Sequence, residues 1–135
     1  MKHRPKIRNF LACIIITTVA LAGCSKTAPL VTPEFQVAVS DNKRVHEAIR
    51  NALVQRKWAI VKNEPNAIEA TYTRGNEHSA HIRVTHTGKK IKIIHVDSHQ
   101  LEYSQGGSGP IIHRWYNTWV SNLERDIQVA IGAGL

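Results

Sequence analysis

The chain has 135 residues, 21% of them charged, with 18 lysines and arginines against 10 aspartates and glutamates for a formal net charge of +8. That length is enough for one domain around a single core and not for two. Four of the 18 basic residues and none of the 10 acids precede residue 24, so the remainder carries only +4, and the basic balance gives no ground for a nucleic-acid partner.

Lys2, His3, Arg4, Lys6 and Arg8 make a positive N-terminus, and Phe10 to Ala22 is an apolar run ending in small residues, as a secretory signal requires. Its 13 residues fall short of the ~20 that a membrane-spanning helix needs. An uncleaved signal-anchor helix is the rival reading. Leu21-Ala22-Gly23-Cys24 closes the run and resembles a lipobox, the processing site of bacterial lipoproteins, with all four residues in the expected order. The resemblance implies that residues 1–23 are a removed signal peptide and that Cys24 carries a diacylglyceryl thioether and an acylated amino group. Each buried methylene contributes about 0.8 kcal/mol, and several chains together anchor permanently. In that family an aspartate after the cysteine usually retains the protein at the inner membrane. Ser25 stands there instead, which implies the outer membrane, with the domain facing the periplasm. Cys13 would be discarded and Cys24 acylated, leaving no thiol for a disulfide, a metal or a nucleophile.

Residues 24–34 hold small residues with Pro29 and Pro33 and read as a lipid-anchored tether, about 8 residues of which reach roughly 26 Å. The domain is expected over 35–135. Phe35, Val37 and Val39 alternate with polar or small residues as an edge strand. Asp41 can cap a helix running to Arg56, with Val45, Ile49, Ala52 and Leu53 on one stripe. Lys57 to Lys62 reads as a strand ended by the turn Asn63-Glu64-Pro65-Asn66. Alternation then predicts strands through Ile68, Ala70 and Tyr72, through Ala80, Ile82 and Val84, and through Ile91, Ile93 and His95. Short connections make them an antiparallel four-stranded meander. Ser104 to Gly109 reads as a Gly/Ser loop, with Gly109 and Pro110 starting a last helix. Ile112, Tyr116, Trp119, Leu123, Ile127 and Ala130 form that helix's apolar stripe, and Trp115 lies at its rim. The predicted fold is α+β, with the N-terminal and C-terminal helices on one face of the meander and the other face open.

Asp97-Ser98 with Leu101 and Tyr103, then Ile112-His113, Tyr116-Asn117 and Trp119-Val120, resembles the C-terminal pattern of small uncharacterised bacterial lipoproteins. His95 stands where that pattern leads one to expect an aromatic residue. The resemblance supports the fold and carries over no functional residues.

Seven histidines follow the signal, and His78 with His81, or His95 with His99, have spacings that can supply two metal ligands. On strands, His95 and His99 would share a face, whereas His78 and His81 would point oppositely. His86 and His95 share parity with the core residues of their strands near opposite ends of one hairpin. With no third ligand at convincing spacing, the expectation is no metal and no cofactor. Asp97-Ser98-His99 has the residue types of a hydrolytic triad, but consecutive residues cannot form the required hydrogen-bonded chain. Gly106-Gly107-Ser108-Gly109 lacks a preceding strand and a P-loop lysine, and reads as a connection.

The open face should show His81, Arg83, Thr85, Lys90, Lys92 and Ile94 with Glu69, Thr71 and Thr73. The default reading of this modestly basic side is a solvated face, and the functional one is an interaction surface for another envelope protein, lipopolysaccharide or peptidoglycan. The sequence therefore predicts a non-enzymatic, lipid-anchored envelope lipoprotein with a binding or scaffolding role. The alternative is a periplasmic module that holds a small ligand in the helix–sheet cleft or a metal on its histidines; a pocket of roughly 300 Å³ or more would favour it.

Overall fold

The structure, a computed structural model, describes residues 24–133. In chain order the elements are β1 (Thr27–Pro29), β2 (Glu34–Gln36), α1 (Asn42–Gln55), β3 (Ala59–Glu64), β4 (Ala67–Arg74), β5 (His78–Thr87), β6 (Lys90–His99), β7 (Ser104–Gly106), β8 (Gly109–His113) and α2 (Arg114–Gly132). The α+β class and the two helices agree with the sequence. The single four-stranded sheet does not: among the described residues eight strands form two antiparallel sheets, ordered β2-β6-β5-β4-β3 and β1-β8-β7.

β4, β5 and β6 form as alternation predicts, because one face of each of these strands is apolar and any one-residue slip would expose it, and β3 pairs on the edge of β4. Ile68, Ala70, Ala80, Ile82, Val84, Ile91 and Ile93 are buried on that face. The β5–β6 turn is two residues long, with Gly88 at φ +57° in the first central position, where a type II′ hairpin takes glycine. β2 extends the sheet because Phe35 pairs with Ile91 at the start of β6.

Asp41 caps α1 as expected, its carboxylate accepting from the Arg44 N–H at 2.9 Å. Val45, Ile49, Ala52 and Leu53 are buried on one stripe. The helix ends in a Schellman motif: Trp58 N–H donates to Leu53 O at 2.9 Å and Lys57 N–H to Val54 O at 3.0 Å. Lys57 takes the left-handed position, φ +62°, that glycine usually fills.

Three expectations need correction. Ser104–Gly109 is not a loop leading into a helix: β7 and β8 pair Ser104 with Ile111, Gln105 with Pro110 and Gly106 with Gly109, leaving Gly107-Ser108 as a two-residue hairpin turn. Pro110 and Ile112 therefore lie in a strand, and α2 starts at Arg114, capped by His113, whose Nδ1 accepts from Trp115 N–H at 3.2 Å. The helix buries Tyr116, Val120, Leu123, Ile127 and Ile131, with Trp119 and Ala130 half-buried beside them.

Nor are residues 25–33 an extended tether. Thr27, Ala28 and Pro29 pair with His113, Ile112 and Ile111. Asn117 clasps the chain from α2, its side chain donating to Pro29 O at 2.9 Å and accepting from Val31 N–H at 3.1 Å. Arg114 Nε donates to Ser25 O at 2.7 Å. Third, a bulge at Val96, between the pairs Ile82–His95 and His81–Asp97, reverses the parity of the end of β6. His95 and His99 consequently lie on opposite faces.

Candidate functional site

On the open face, strand pairing sets Glu69 opposite Arg83 and Thr71 opposite His81, with Asp97 on the other side of His81. Arg83 bridges two carboxylates at 2.6 Å each, Glu69 on β4 and Glu64 at the end of β3. Glu69 also meets His81 Nε2 at 3.0 Å, and Lys62 meets Glu64 at 3.0 Å. A ladder Lys62–Glu64–Arg83–Glu69–His81 thus runs across three strands. The Arg83 guanidinium, then His81, hold the Glu69 carboxyl below the usual carboxylate range against the opposing effect of burial. Lys62 and Arg83 do the same for Glu64.

The other basic residues of this face are also matched. Lys90 and Lys92 reach Glu34 at 2.7 and 3.6 Å, because β2 brings that glutamate opposite Lys92. The predicted residues His81, Arg83, Lys90, Lys92 and Ile94 do share one face, but their charges alternate with those of Glu34, Glu64 and Glu69. Glu34 and Glu64 were missed by sequence reasoning, since only the strand pairing brings them in. An open depression of about 450 Å³ lies at one end of the face, lined by Glu64, Pro65, Asn66, Ala67, Arg83, Thr85 and Thr87. A second, of about 250 Å³, is lined by residues that include Thr71, His81, Asp97 and His99.

The helix-facing histidines behave differently. His86 is 1% exposed, and its Nε2 lies 3.0 Å from His46 Nδ1 on α1, a partner the sequence did not suggest. His46 Nε2 lies 2.7 Å from the Asn63 side-chain oxygen. That oxygen can only accept, so neutral His46 donates from Nε2 and accepts at Nδ1 from His86 Nε2–H. The relay leaves His86 Nδ1 as a buried lone pair without a partner among the described residues. Burial, reinforced by His46, lowers the His86 pKa below its ordinary value. His95 stacks on Tyr103 at 4.6 Å between ring centres and meets the edge of Tyr116 at 5.3 Å, so it fills an aromatic position. Burial also lowers its pKa, with Asp97 opposing.

His78 lies against Trp115 on the helix side and His81 on the open face, pointing oppositely as parity requires. Among the described residues no three His, Cys, Asp or Glu side chains stand close enough to hold a metal ion. Asp97-Ser98-His99 does not form a hydrogen-bonded chain: Ser98 Oγ meets His95 Nε2 at 3.1 Å, and Asp97 accepts from the Ser98 backbone N–H at 2.8 Å. Among the described residues no hydrogen bond orients His95 Nδ1, so this serine–imidazole contact lacks the third group of a hydrolytic site. The helix–sheet cleft, lined by Arg56, Trp58, Tyr72, Trp119 and Asn122, holds about 70 Å³, well under the ~300 Å³ of a small-molecule site.

Cys24 is exposed and precedes β1 by two residues. Leu21, Ala22 and Gly23 lie outside the described residues. No family model matches the chain, and the comparison with curated proteins finds no match.

Proposed function

We propose that the chain is a lipid-anchored lipoprotein of the bacterial outer membrane, its α+β domain serving a non-catalytic binding or scaffolding role in the periplasm. The observation that carries this reading is the order Leu21-Ala22-Gly23-Cys24 after a basic and apolar N-terminus, with the folded domain beginning directly behind an exposed Cys24. The open sheet face is the interaction surface. Its alternating charges suit an envelope protein with complementary pairs better than polyanionic lipopolysaccharide, because the glutamates cancel most of the positive field. Peptidoglycan is the remaining candidate. The alternative of a ligand or metal module draws less support, given the filled helix–sheet cleft and the dispersal of the histidines over two faces.

Expression in a Gram-negative host, followed by membrane fractionation and intact mass, tests the reading. A triacylated species beginning at Cys24 is expected, and Cys24→Ala should leave an unprocessed precursor. Release of a normally cut, unmodified soluble domain would refute it.

A further inference from the structure

The geometry points to a membrane-facing end of the domain: the start of α2, β1 and the β4–β5 turn lie on the bilayer, with Trp115 at headgroup level and Lys26, Arg74 and Arg114 against lipid phosphates. The inference rests on the anchor proposed above, but not on lipidation as such. Cleaved and acylated at Cys24, or retained with its apolar run Phe10–Ala22, the chain meets the bilayer just before Ser25.

From there the chain has almost no slack. Arg114 holds Ser25 O through Nε at 2.7 Å and Lys26 O through its backbone N–H at 2.9 Å, and Thr27 is already paired with His113. A domain tied this closely cannot turn another end toward the membrane. Register identifies what lies at each end. β4 runs from Ala67 to Arg74 and is paired along its length with β5, so Arg74 and His78 sit together about 23 Å from Ala67, which follows the Pro65-Asn66 turn, at ~3.3 Å per residue. The Arg74 and His78 end is the anchor end, because both side chains pack on Trp115: the Arg74 guanidinium lies 4.2 Å from an indole ring centre and the His78 ring 5.0 Å away. His113, paired with Thr27, covers Trp115 at 4.4 Å.

The composition of this end suits a headgroup layer. A half-buried indole sits among cations, and tryptophan concentrates at membrane interfaces, where it offers an apolar body and a polar N–H. Arginine and lysine lay their stems along apolar surface while their charged heads reach phosphate. Glu77, in the turn beside His78, and Glu102, next to Leu101 whose carbonyl accepts from His113 N–H, are acids at the same end. They leave a small positive excess, so the anchor supplies the affinity and the basic side chains supply orientation.

The test uses the full chain, extracted from membranes, its mass determined, and reconstituted into vesicles of phosphatidylethanolamine and phosphatidylglycerol with lipids brominated high in the acyl chain. Tryptophan fluorescence should be quenched in the wild type, and Trp115→Phe should remove most of the quenching, because Trp58 is buried and Trp119 lies deeper in the helix–sheet cleft. Nitroxides on Asn76→Cys, in the near turn, and on Lys89→Cys, in the far turn, provide a readout free of any folding defect at Trp115. The first should contact lipid and the second only water. Equal accessibility of the two sites in a protein whose mass shows acylation or the retained apolar run overturns the orientation and leaves the anchor standing. A mass showing neither overturns both.

Discussion

On its helix-facing side β5 presents Ala80, Ile82, Val84 and His86, and on its open side the same strand presents His81, Arg83 and Thr85. His81 and His86 are five residues apart and do opposite things. On the open side the His81 imidazole meets the Glu69 carboxylate at the end of a run of ion pairs that water also solvates. On the closed side His86 keeps one neutral hydrogen bond to His46 and leaves its other nitrogen bare. Residue type is the same; the environment set by parity decides whether a charge is tolerated. An interaction surface belongs on the side where charges can be re-paired with a partner at little cost.

The largest effect that sharpens this contrast comes from truncating the closed side. Ile82 is fully buried, so Ile82→Ala should cost about 3–4 kcal/mol through lost transfer energy and a residual cavity. Thr85→Ala, three residues on and facing out, should change stability by no more than about 0.5 kcal/mol. Chemical denaturation of the two variants measures the difference, and equal losses would break the distinction between the faces.

Acid should find the closed side next. His86 has a lowered pKa in the folded chain, so the unfolded chain binds a proton first as pH falls through the ordinary histidine value near 6.5. Stability present above that pH is therefore lost below it, down to the folded pKa. His95 contributes in the same direction. The proton would fall on His86 Nδ1, which is buried and has no hydrogen-bond acceptor among the described residues to stabilise it. Glu34, Glu64, Glu69 and Asp126 have lowered pKa values too, but their stabilisation disappears in a separate window, below about 4.5. Melting temperature should thus fall between neutral pH and mildly acid pH, and His86→Leu should flatten that first decline while leaving the second. An unaltered profile in His86→Leu would show that the buried imidazole is not the source.

A smaller gain is expected at the end of α1. Lys57→Gly removes the Cβ strain of a left-handed residue while keeping both Schellman hydrogen bonds, and should stabilise by about 1 kcal/mol, read as a rise in melting temperature.

The same contrast explains what could be read before the structure was known. β4 to β6 were legible because a buried face stamps a period of two on the sequence. β7 was not, since Ser104, Gln105 and Gly106 are all exposed and carry no such period. Gly107-Ser108 was the available signal, a glycine-first two-residue turn, but Pro110 nearby reads equally well as a helix start. β1 was hidden for the same reason: its small residues and prolines look like a tether, and its hold on the domain comes from Asn117, 88 positions from Pro29. No local rule places Lys57 in the left-handed region or inserts the bulge at Val96. At the candidate surface, the basic residues were legible from parity, and their glutamate partners were not, because Glu34 arrives on a strand from another part of the chain.

The smallest predicted effect separates a structural ladder from a surface held for binding. Glu69→Gln removes the charge that Arg83 and His81 share, yet Arg83 keeps Glu64 at 2.6 Å and all these groups remain in contact with water. Exposed pairs contribute little because solvent and side-chain entropy offset most of the attraction, and salt screens the rest. The melting temperature should fall slightly at low ionic strength and by still less at high. A partner bound through this face should respond far more strongly, since Lys62 and Arg83 would then share Glu64 alone and present one uncompensated positive charge to whatever replaced water. Loss of a co-purified envelope protein in Glu69→Gln, with nearly unchanged melting, therefore assigns the ladder to recognition. A melting loss comparable to that of Ile82→Ala would instead make this side of the sheet a second buried face.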